Sequence, residues 1–198
     1  MSSVWVASQR YGIAPAPDGL ALVQDFLNTR GVEGYGPDLL ADTATAGEWV
    51  ANAVRGWSAL RSTDLPPPAL DDADLARLRT VRATISNLVA GNPPGARGAG
   101  PVSASFALSD GGEVRLDPSG TGWRWLASAL WGEILLGQHT GTWRRVKQCH
   151  NHHCGSAFYD RSKNNSGVWH DVKTCGNAAN LRASRARRRA ATSAPTPG

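Results

Sequence analysis

All three cysteines of this 198-residue chain, Cys149, Cys154 and Cys175, fall within one stretch of 27 residues. With His170 they read C-x4-C-x15-H-x4-C. Two ligand pairs separated by a loop of this size are how a structural zinc ion is held, with four soft or borderline donors in a tetrahedron. A short spacer lets one loop offer two donors to one side of an ion. Asp171 is a good N-cap residue, so Val172 to Cys175 would form the first turn of a helix, with His170 just before it and Cys175 just inside. The four side chains then converge in a treble-clef-like arrangement. An odd number of cysteines disfavours a disulfide framework. His150, His152 and His153 crowd the first pair and are competing ligands. Filling all four positions with protein leaves none for water or substrate, so the expected site is structural and the chain is expected not to be an enzyme.

The stretch needs the metal. Between Cys149 and Cys175 the large apolar side chains are few, among them Ala157, Phe158, Tyr159, Val168 and Trp169. A module of that size cannot build a sufficient core, whereas zinc contributes on the order of 10 to 16 kcal/mol in small zinc modules.

Charge divides the chain at the same place. Residues 141–198 hold eleven Lys and Arg against two Asp and Glu, a net +9, while residues 1–140 hold ten against fourteen, a net −4. A basic end on an acidic body points to a polyanionic partner. After Cys175 the sequence is rich in Ala and Arg, both strong helix formers. On that helix Cys175, Ala179, Ala183, Ala186 and Ala190 form a narrow stripe. Arg182, Arg185, Arg188 and Arg189 form an adjacent arc, and Arg187 points away. The major groove admits such a helix, and Arg can neutralise phosphate or pair with guanine. Arg144, Arg145 and Lys147, just before the first ligand, and Arg161 and Lys163, on the loop between ligand pairs, are further candidate phosphate contacts.

The first 140 residues read as a mostly helical domain with one small hairpin, giving an α+β chain. Helices are expected near Leu20–Asn28, after a capping box at Thr45 and Glu48, from Asp71 or Asp72 until Gly91, and from about Gly122 to Leu136. Residues 91–101 read as a flexible loop. Apolar alternation at Val102, Ala104, Phe106 and Leu108, then Val114 and Leu116, predicts a hairpin across Ser109–Gly112. Trp49, Trp57, Trp123, Trp125 and Trp131 read as core rather than as a pocket lining. Asp25, Asn28 and Glu133 are isolated polar residues, and no catalytic set, phosphate loop or dinucleotide fingerprint stands out. Residues 191–198 are expected to be disordered. No basic start followed by an apolar core and no membrane-length apolar run is evident, so a cytoplasmic protein without a membrane partner is expected.

The stretch from Cys149 to Arg189 resembles the CGNR zinc finger: C-x4-C, then Phe158-Tyr159-Asp160-x-Ser162, Trp169 before the third ligand, Cys175-Gly176-Asn177, then the basic helix. The preceding part is similar to the stress-induced transcription regulator domain that usually precedes this finger, through Asp25-Phe26-Leu27-Asn28-Thr29 and Leu78-Arg79-Thr80-Val81-Arg82. Two departures stand out: His170 where the family commonly has Cys, and Ala178 where the signature has Arg. The resemblance implies a regulatory, signal-sensing domain over residues 1–140, a finger with basic helix over 141–190, and binding to double-stranded DNA. A small-molecule effector and a homodimer are further expectations. RNA binding, and a zinc-stabilised interaction module with no nucleic-acid role, are the alternatives.

Overall fold

The computed structural model describes residues 4–93, 100–151 and 153–192; the side chains of Ala179, Ala183 and Ala186 and of residues 188–192 lie outside that description. Two antiparallel hairpins are set among six helices of the described chain: α1 (Val6–Gln9), α2 (Leu20–Leu27), α3 (Thr43–Arg61), α4 (Asp72–Val89), β1 (Ala104–Leu108), β2 (Val114–Pro118), α5 (Gly122–His139), β3 (Val146–Gln148), β4 (Ala157–Tyr159) and α6 (Asn177–Thr192).

Helix α2 is the hub. All eight of its residues are buried and six of the eight are apolar, as suits a helix surrounded by neighbours. Helices α1, α3, α4 and α5 pack around it, and strand β4 closes the remaining side. Trp49, Val50, Ala53, Val54 and Trp57 of α3 face inward, as do Leu75, Leu78, Val81 and Ile85 of α4 and Trp123, Leu126, Leu130 and Ile134 of α5. The i, i+3, i+4 spacing of these residues is the periodicity that predicted the helices. Trp125 and Trp131 pack on the rim of the same core, so the tryptophans are chiefly structural.

The start of α3 differs from expectation. Its N-cap is Asp42, whose carboxylate accepts from Thr45 N–H at 2.8 Å, so Thr45 and Glu48 lie inside the helix instead of forming a capping box. Asp does the same work as Thr at that position, one turn earlier. Helix α4 does carry a full capping box, between Asp71 and Asp74. The expected loop after it begins at Gly91, with φ +71°; residues 94–99 lie outside the described residues.

The buried polar residues of α2 are structural fasteners. Asp25 accepts from Ser8 N–H at 2.7 Å and from the Trp49 indole at 2.9 Å, tying α1 and α3 to α2. Burial, opposed by these hydrogen bonds, raises its pKa above the ordinary carboxylate value. Glu133 of α5 accepts from the Trp57 indole at 2.6 Å and from Arg61 Nε at 2.7 Å, and packs against Gly19 so tightly that a Cβ there would overlap the carboxylate.

Hairpin β1–β2 has the expected strands, in register Phe106↔Leu116 and Leu108↔Val114. Its apolar face is covered only in part. Leu116 packs against Gly132 of α5, where a Cβ would come within 2.8 Å. Phe106, Leu108 and Val114, by contrast, are 78%, 73% and 70% exposed. Helix α6 continues to Thr192, two residues into the expected tail; residues 193–198 lie outside the described residues.

Candidate metal centre

Strands β3 and β4 form a short hairpin whose connecting loop carries the first two cysteines. Cys149 N–H donates to Ser156 O at 2.8 Å, and the N–H groups of Cys154 and Gly155 both return to Asn151 O, at 2.7 and 2.9 Å. The loop thus folds into a knuckle with Cys149 and Cys154 on its inner side. The second pair sits at the start of the last helix. Asp171 caps it, its carboxylate accepting from Lys173 N–H at 2.6 Å and Thr174 N–H at 3.3 Å. The first turn, Val172–Gly176, is widened to a π turn closed by Gly176 N–H to Asp171 O. This turn directs Cys175 inward before α6 continues with ordinary geometry.

The donor atoms of Cys149, Cys154, His170 and Cys175 all lie within 4.8 Å of one another, with the three cysteines buried and His170 half-buried. His170 turns its Nδ1 toward Cys154 Sγ at 3.4 Å. Zinc–sulfur bonds near 2.3 Å in a tetrahedron would place sulfurs about 3.8 Å apart, so the cluster needs only a small contraction to close on such an ion. The sulfurs are also prepared for negative charge. Asn151 Nδ2 donates to Cys175 Sγ at 3.2 Å, Ser156 Oγ lies 3.1 Å from Cys154 Sγ, and the backbone N–H groups of His170 and Asn151 are directed at Cys149. The hydrogen-bonding contact between Cys149 and Cys154 lowers the pKa of the Cys154 thiol and raises that of Cys149. A divalent cation bound by these sulfurs would displace their protons, since thiolates are the ligating form. His150 takes no part; its ring packs edge-on against Trp169. His152 lies outside the described residues.

The apolar cover of the cluster comes from the other end of the chain. Tyr11 is buried against Cys149, Cys154, Phe158 and Cys175, with Ile13, Val32, Tyr35 and Trp169 around them. Tyr11 and Tyr35 stack with ring centres 4.5 Å apart. The hairpin itself joins the helical core through Val146 and Ala157. Asn28, the C-cap residue of α2, makes the tightest link: its side-chain amide donates to Ala157 O at 2.9 Å and accepts from Ala157 N–H at 2.8 Å, as a neighbouring strand would. Sequence reading left Asn28, Tyr11 and Tyr35 without a role. The only signal for Asn28 was its place in the Asp25–Thr29 stretch.

The basic candidates divide by their partners. Lys147 is spent internally: its ammonium donates to the buried Asp160 carboxylate at 2.7 Å and to Asn165 O and Gly167 O at 2.6 and 3.0 Å. Burial would raise the Asp160 pKa, but Lys147 and the Ser162 and Gly167 N–H groups outweigh it and hold the carboxyl well below its ordinary value. The guanidinium of Arg145 donates to Asp160 O and Ser162 O at 2.9 and 2.8 Å. Arg161 donates to Pro15 O at 2.7 Å, and Arg144 to Gly141 O at 3.2 Å. These groups brace the finger. Lys163, Arg185 and Arg187 are exposed. Arg182 is exposed along its stem, and its head donates to Asn151 Oδ1 at 2.6 Å, the residue that also donates to Cys175. The side chains of Arg188 and Arg189 lie outside the described residues, as do those of the alanine stripe beyond Ala178.

Fold and site together define a helical domain with a Cys3His metal module built onto it. The chain belongs to the family described as "ABATE: Putative stress-induced transcription regulator", whose model matches residues 20–154, and a CGNR zinc finger model matches residues 145–188. The two matches overlap over the knuckle that bears Cys149 and Cys154. A comparison with curated proteins gives no match. No helix among the described residues is long and apolar enough to cross a membrane.

Proposed function

We propose that this protein is a zinc-dependent transcription regulator that binds double-stranded DNA through α6. One observation carries the reading: the most basic helix of the chain starts inside the metal cluster, with Cys175 in its first turn. A helix that would fray by itself is thereby fixed in position and direction, with Arg185 and Arg187 projecting into solvent. Three thiolates and an imidazole form a closed donor set that suits zinc and leaves no position for substrate, which favours a structural metal in a binding protein over an enzyme. Asp171, Asn151 and the Lys147–Asp160 brace hold the ligands and the loop between them. Among the described residues, contact with DNA falls to exposed cations of this region: Arg185 and Arg187 of α6, Lys173 of the turn before it and Lys163 of the loop. Arg188 and Arg189 extend the same basic run in sequence.

The test is selection of bound sequences from a random duplex library with the zinc-loaded protein, followed by titration of the winner against an RNA of the same sequence. Enrichment of a motif, tighter binding to duplex DNA, and a log–log salt slope of about −0.9 per phosphate contact support the reading. Equal retention of RNA would favour the RNA-binding alternative. No salt-sensitive binding to either would leave an interaction module.

A further inference from the structure

Strand β1 has an open edge. Among the described residues it pairs with β2 alone. Ser109 N–H, just beyond the strand, donates to Glu113 O at 2.9 Å. Backbone direction alternates along a strand, so Ala107 and Ser105 also turn their N–H and C=O groups toward β2. Ala104, Phe106 and Leu108 then turn theirs outward, where no backbone hydrogen bond from another described residue meets them. Pro118 fits this pattern: it stands opposite Ala104, where the hairpin needs no N–H from β2.

The two edges of the hairpin differ. Glu113 to Asp117 all line a groove of about 620 Å³ between the hairpin and the C-terminal end of α3, whereas β1 contributes only Phe106 to it. The outer edge of β2 therefore looks back at the body, and that of β1 looks away from it. Burial agrees: four of the five β2 residues are half-buried, and four of the five β1 residues are exposed. Proteins blunt a free edge with charge, proline or a bulge. Strand β1, Ala-Ser-Phe-Ala-Leu, has none of these, and its register with β2 is unbroken. A two-stranded hairpin is marginal in water unless a helix or further strands support it. Leu116 has such support at Gly132 of α5, while Phe106 and Leu108 remain largely exposed.

We propose that β1 pairs antiparallel with β1 of a second copy of this chain, about a two-fold axis at Phe106, so that two hairpins join into one four-stranded sheet. The occupant follows from the edge. Outward N–H and C=O groups at strand spacing are matched by another extended backbone, and not by a helix or a small apolar molecule. A second β1 is self-complementary in this register: Phe106 faces Phe106, Ala104 faces Leu108 and Ser105 faces Ala107. About six backbone hydrogen bonds form, two for each outward-facing pair, and no charge meets a like charge. Pairing β1 with the outer edge of β2 would leave a free edge at each end and grow a filament, and α3 stands across that edge. The two-fold arrangement also has room. Strands lie about 4.8 Å apart, so the two β2 strands would be separated by roughly 14 Å. That leaves space for one α5, about 10 Å across, beneath each of them. The surface uses no residue of the metal cluster or of α6, so it does not rest on the DNA reading.

The test uses full-length, zinc-loaded protein without DNA, in sedimentation velocity over a concentration series and in hydrogen exchange at both ends of that series. One strand pair buries less than a standard interface, so a reversible dimer with a micromolar dissociation constant is expected. The amides of Ala104, Phe106 and Leu108 should exchange slowly in the concentrated sample and fast in the dilute one. Those of Ser105 and Ala107, bonded to β2, should not change. Phe106→Lys sets two ammonium groups against each other at the axis and should weaken the dimer roughly tenfold or more. Ala104→Pro removes only an outward N–H, at the first residue of a strand, where proline is tolerated, and should weaken it by less. Both variants should keep the circular dichroism and zinc content of the parent. A protein that stays monomeric up to about 0.5 mM overturns the proposal. So does a dimer whose β1 amides exchange alike at both concentrations, or one indifferent to Phe106→Lys. Species that keep growing past the dimer overturn it too, because they would show that an edge stays open.

Discussion

The molecule has two buried clusters built on different principles. The larger, centred on α2, consists of Leu, Val, Ile, Ala, Phe and Trp, chiefly from five helices. It encloses side chains such as Trp49, Phe26, Leu22 and Leu126 that are almost wholly removed from water. The smaller surrounds the metal ligands and has Tyr11, Phe158 and the three cysteines as its buried members. Transfer of apolar surface, about 25 cal/mol per Å², can hold the first together. The second has too little such surface, and its sulfurs repel one another once ionised. An ion bound among its four donor atoms would hold it, together with aromatic rings lent from residues 11–35. The finger is thus autonomous in its ligands and dependent in its cover.

Removing the ion should separate the clusters most sharply. Cys149→Ser or Cys175→Ser is expected to abolish stoichiometric zinc, a term on the order of 10 kcal/mol for the finger. Hydrogen exchange should then rise across residues 149–190 and across Tyr11, Val32 and Tyr35, while α3 and α5 stay protected. His170→Cys should keep the metal and His170→Ala should lose it. A Cys149→Ser protein with full zinc content would show that the cluster is not the site. Exchange confined to 149–190 would show that the aromatic cover is incidental.

The link between the clusters gives the next largest effect. Asn28→Leu keeps roughly the same volume but leaves both Ala157 backbone groups buried without partners, at about 1–3 kcal/mol each. The expected result is a fall of several kcal/mol in urea unfolding with zinc stoichiometry retained. A loss below about 1 kcal/mol would mean that strand β4 finds other partners. This link also marks where sequence reading stopped. The ligands were legible because each pair is local: four residues separate Cys149 from Cys154, and four separate His170 from Cys175. Helix periodicity was equally local, so the core faces of α2 to α5 could be read directly. Asn28 and Ala157 are 129 residues apart, and a single buried amide leaves no periodic trace. For the same reason Lys147 and Arg145 counted as free charge, although their partners are carbonyls and one buried carboxylate within the finger. Alternation in β1 and β2 predicted the hairpin, but could not tell a face packed on α5 from one left over a groove.

A smaller effect, with a pH signature, comes from the brace under the aromatic cover. Arg82 grips Asp38 with both nitrogens, at 2.8 and 2.5 Å, and donates to Thr29 Oγ1 at 2.8 Å. This fixes the two ends of the segment that carries Val32 and Tyr35. Burial acts to raise the Asp38 pKa, but the hydrogen bonds from Arg82 and Leu40 N–H outweigh it and lower it below the ordinary value of 3.8. A carboxyl whose pKa is depressed on folding contributes stability above its unfolded pKa and loses it as pH falls toward the folded one. Asp38→Asn should therefore cost about 1–2 kcal/mol at neutral pH, discounted for partial exposure. The difference from the parent should shrink as pH falls below 3.8. Urea titrations of both proteins across that range, followed by tryptophan fluorescence, check the sign. A difference independent of pH would mean that the charge on Asp38 is not what holds the segment.

The smallest stability effects fall on α6, and they separate the residues that hold this helix from those that would use it. Arg182 and Arg185 lie one turn apart and look equivalent as charges. Arg182 donates at 2.6 Å to Asn151, whose amide donates to Cys175 Sγ, so it reaches the metal site through one intermediary. Arg185 is exposed, and no hydrogen bond from it stands among those described. Arg182→Ala should cost about 0.5–1.5 kcal/mol and speed zinc transfer to a chelator, since a fixed hydrogen bond is lost beside a ligand. Arg185→Ala should stay within about 0.5 kcal/mol of the parent and leave zinc transfer unchanged, because an exposed helix position accepts Ala readily. On the DNA reading, Arg185→Ala should nonetheless reduce the salt slope by about 0.9 if the arginine meets phosphate. If it meets guanine, it should instead relax specificity at one base pair by about 1–3 kcal/mol. If Arg185→Ala binds duplex DNA like the parent while Arg182→Ala binds poorly at full zinc occupancy, the contact surface lies nearer the metal than α6 suggests, with Lys163 the next cation to replace.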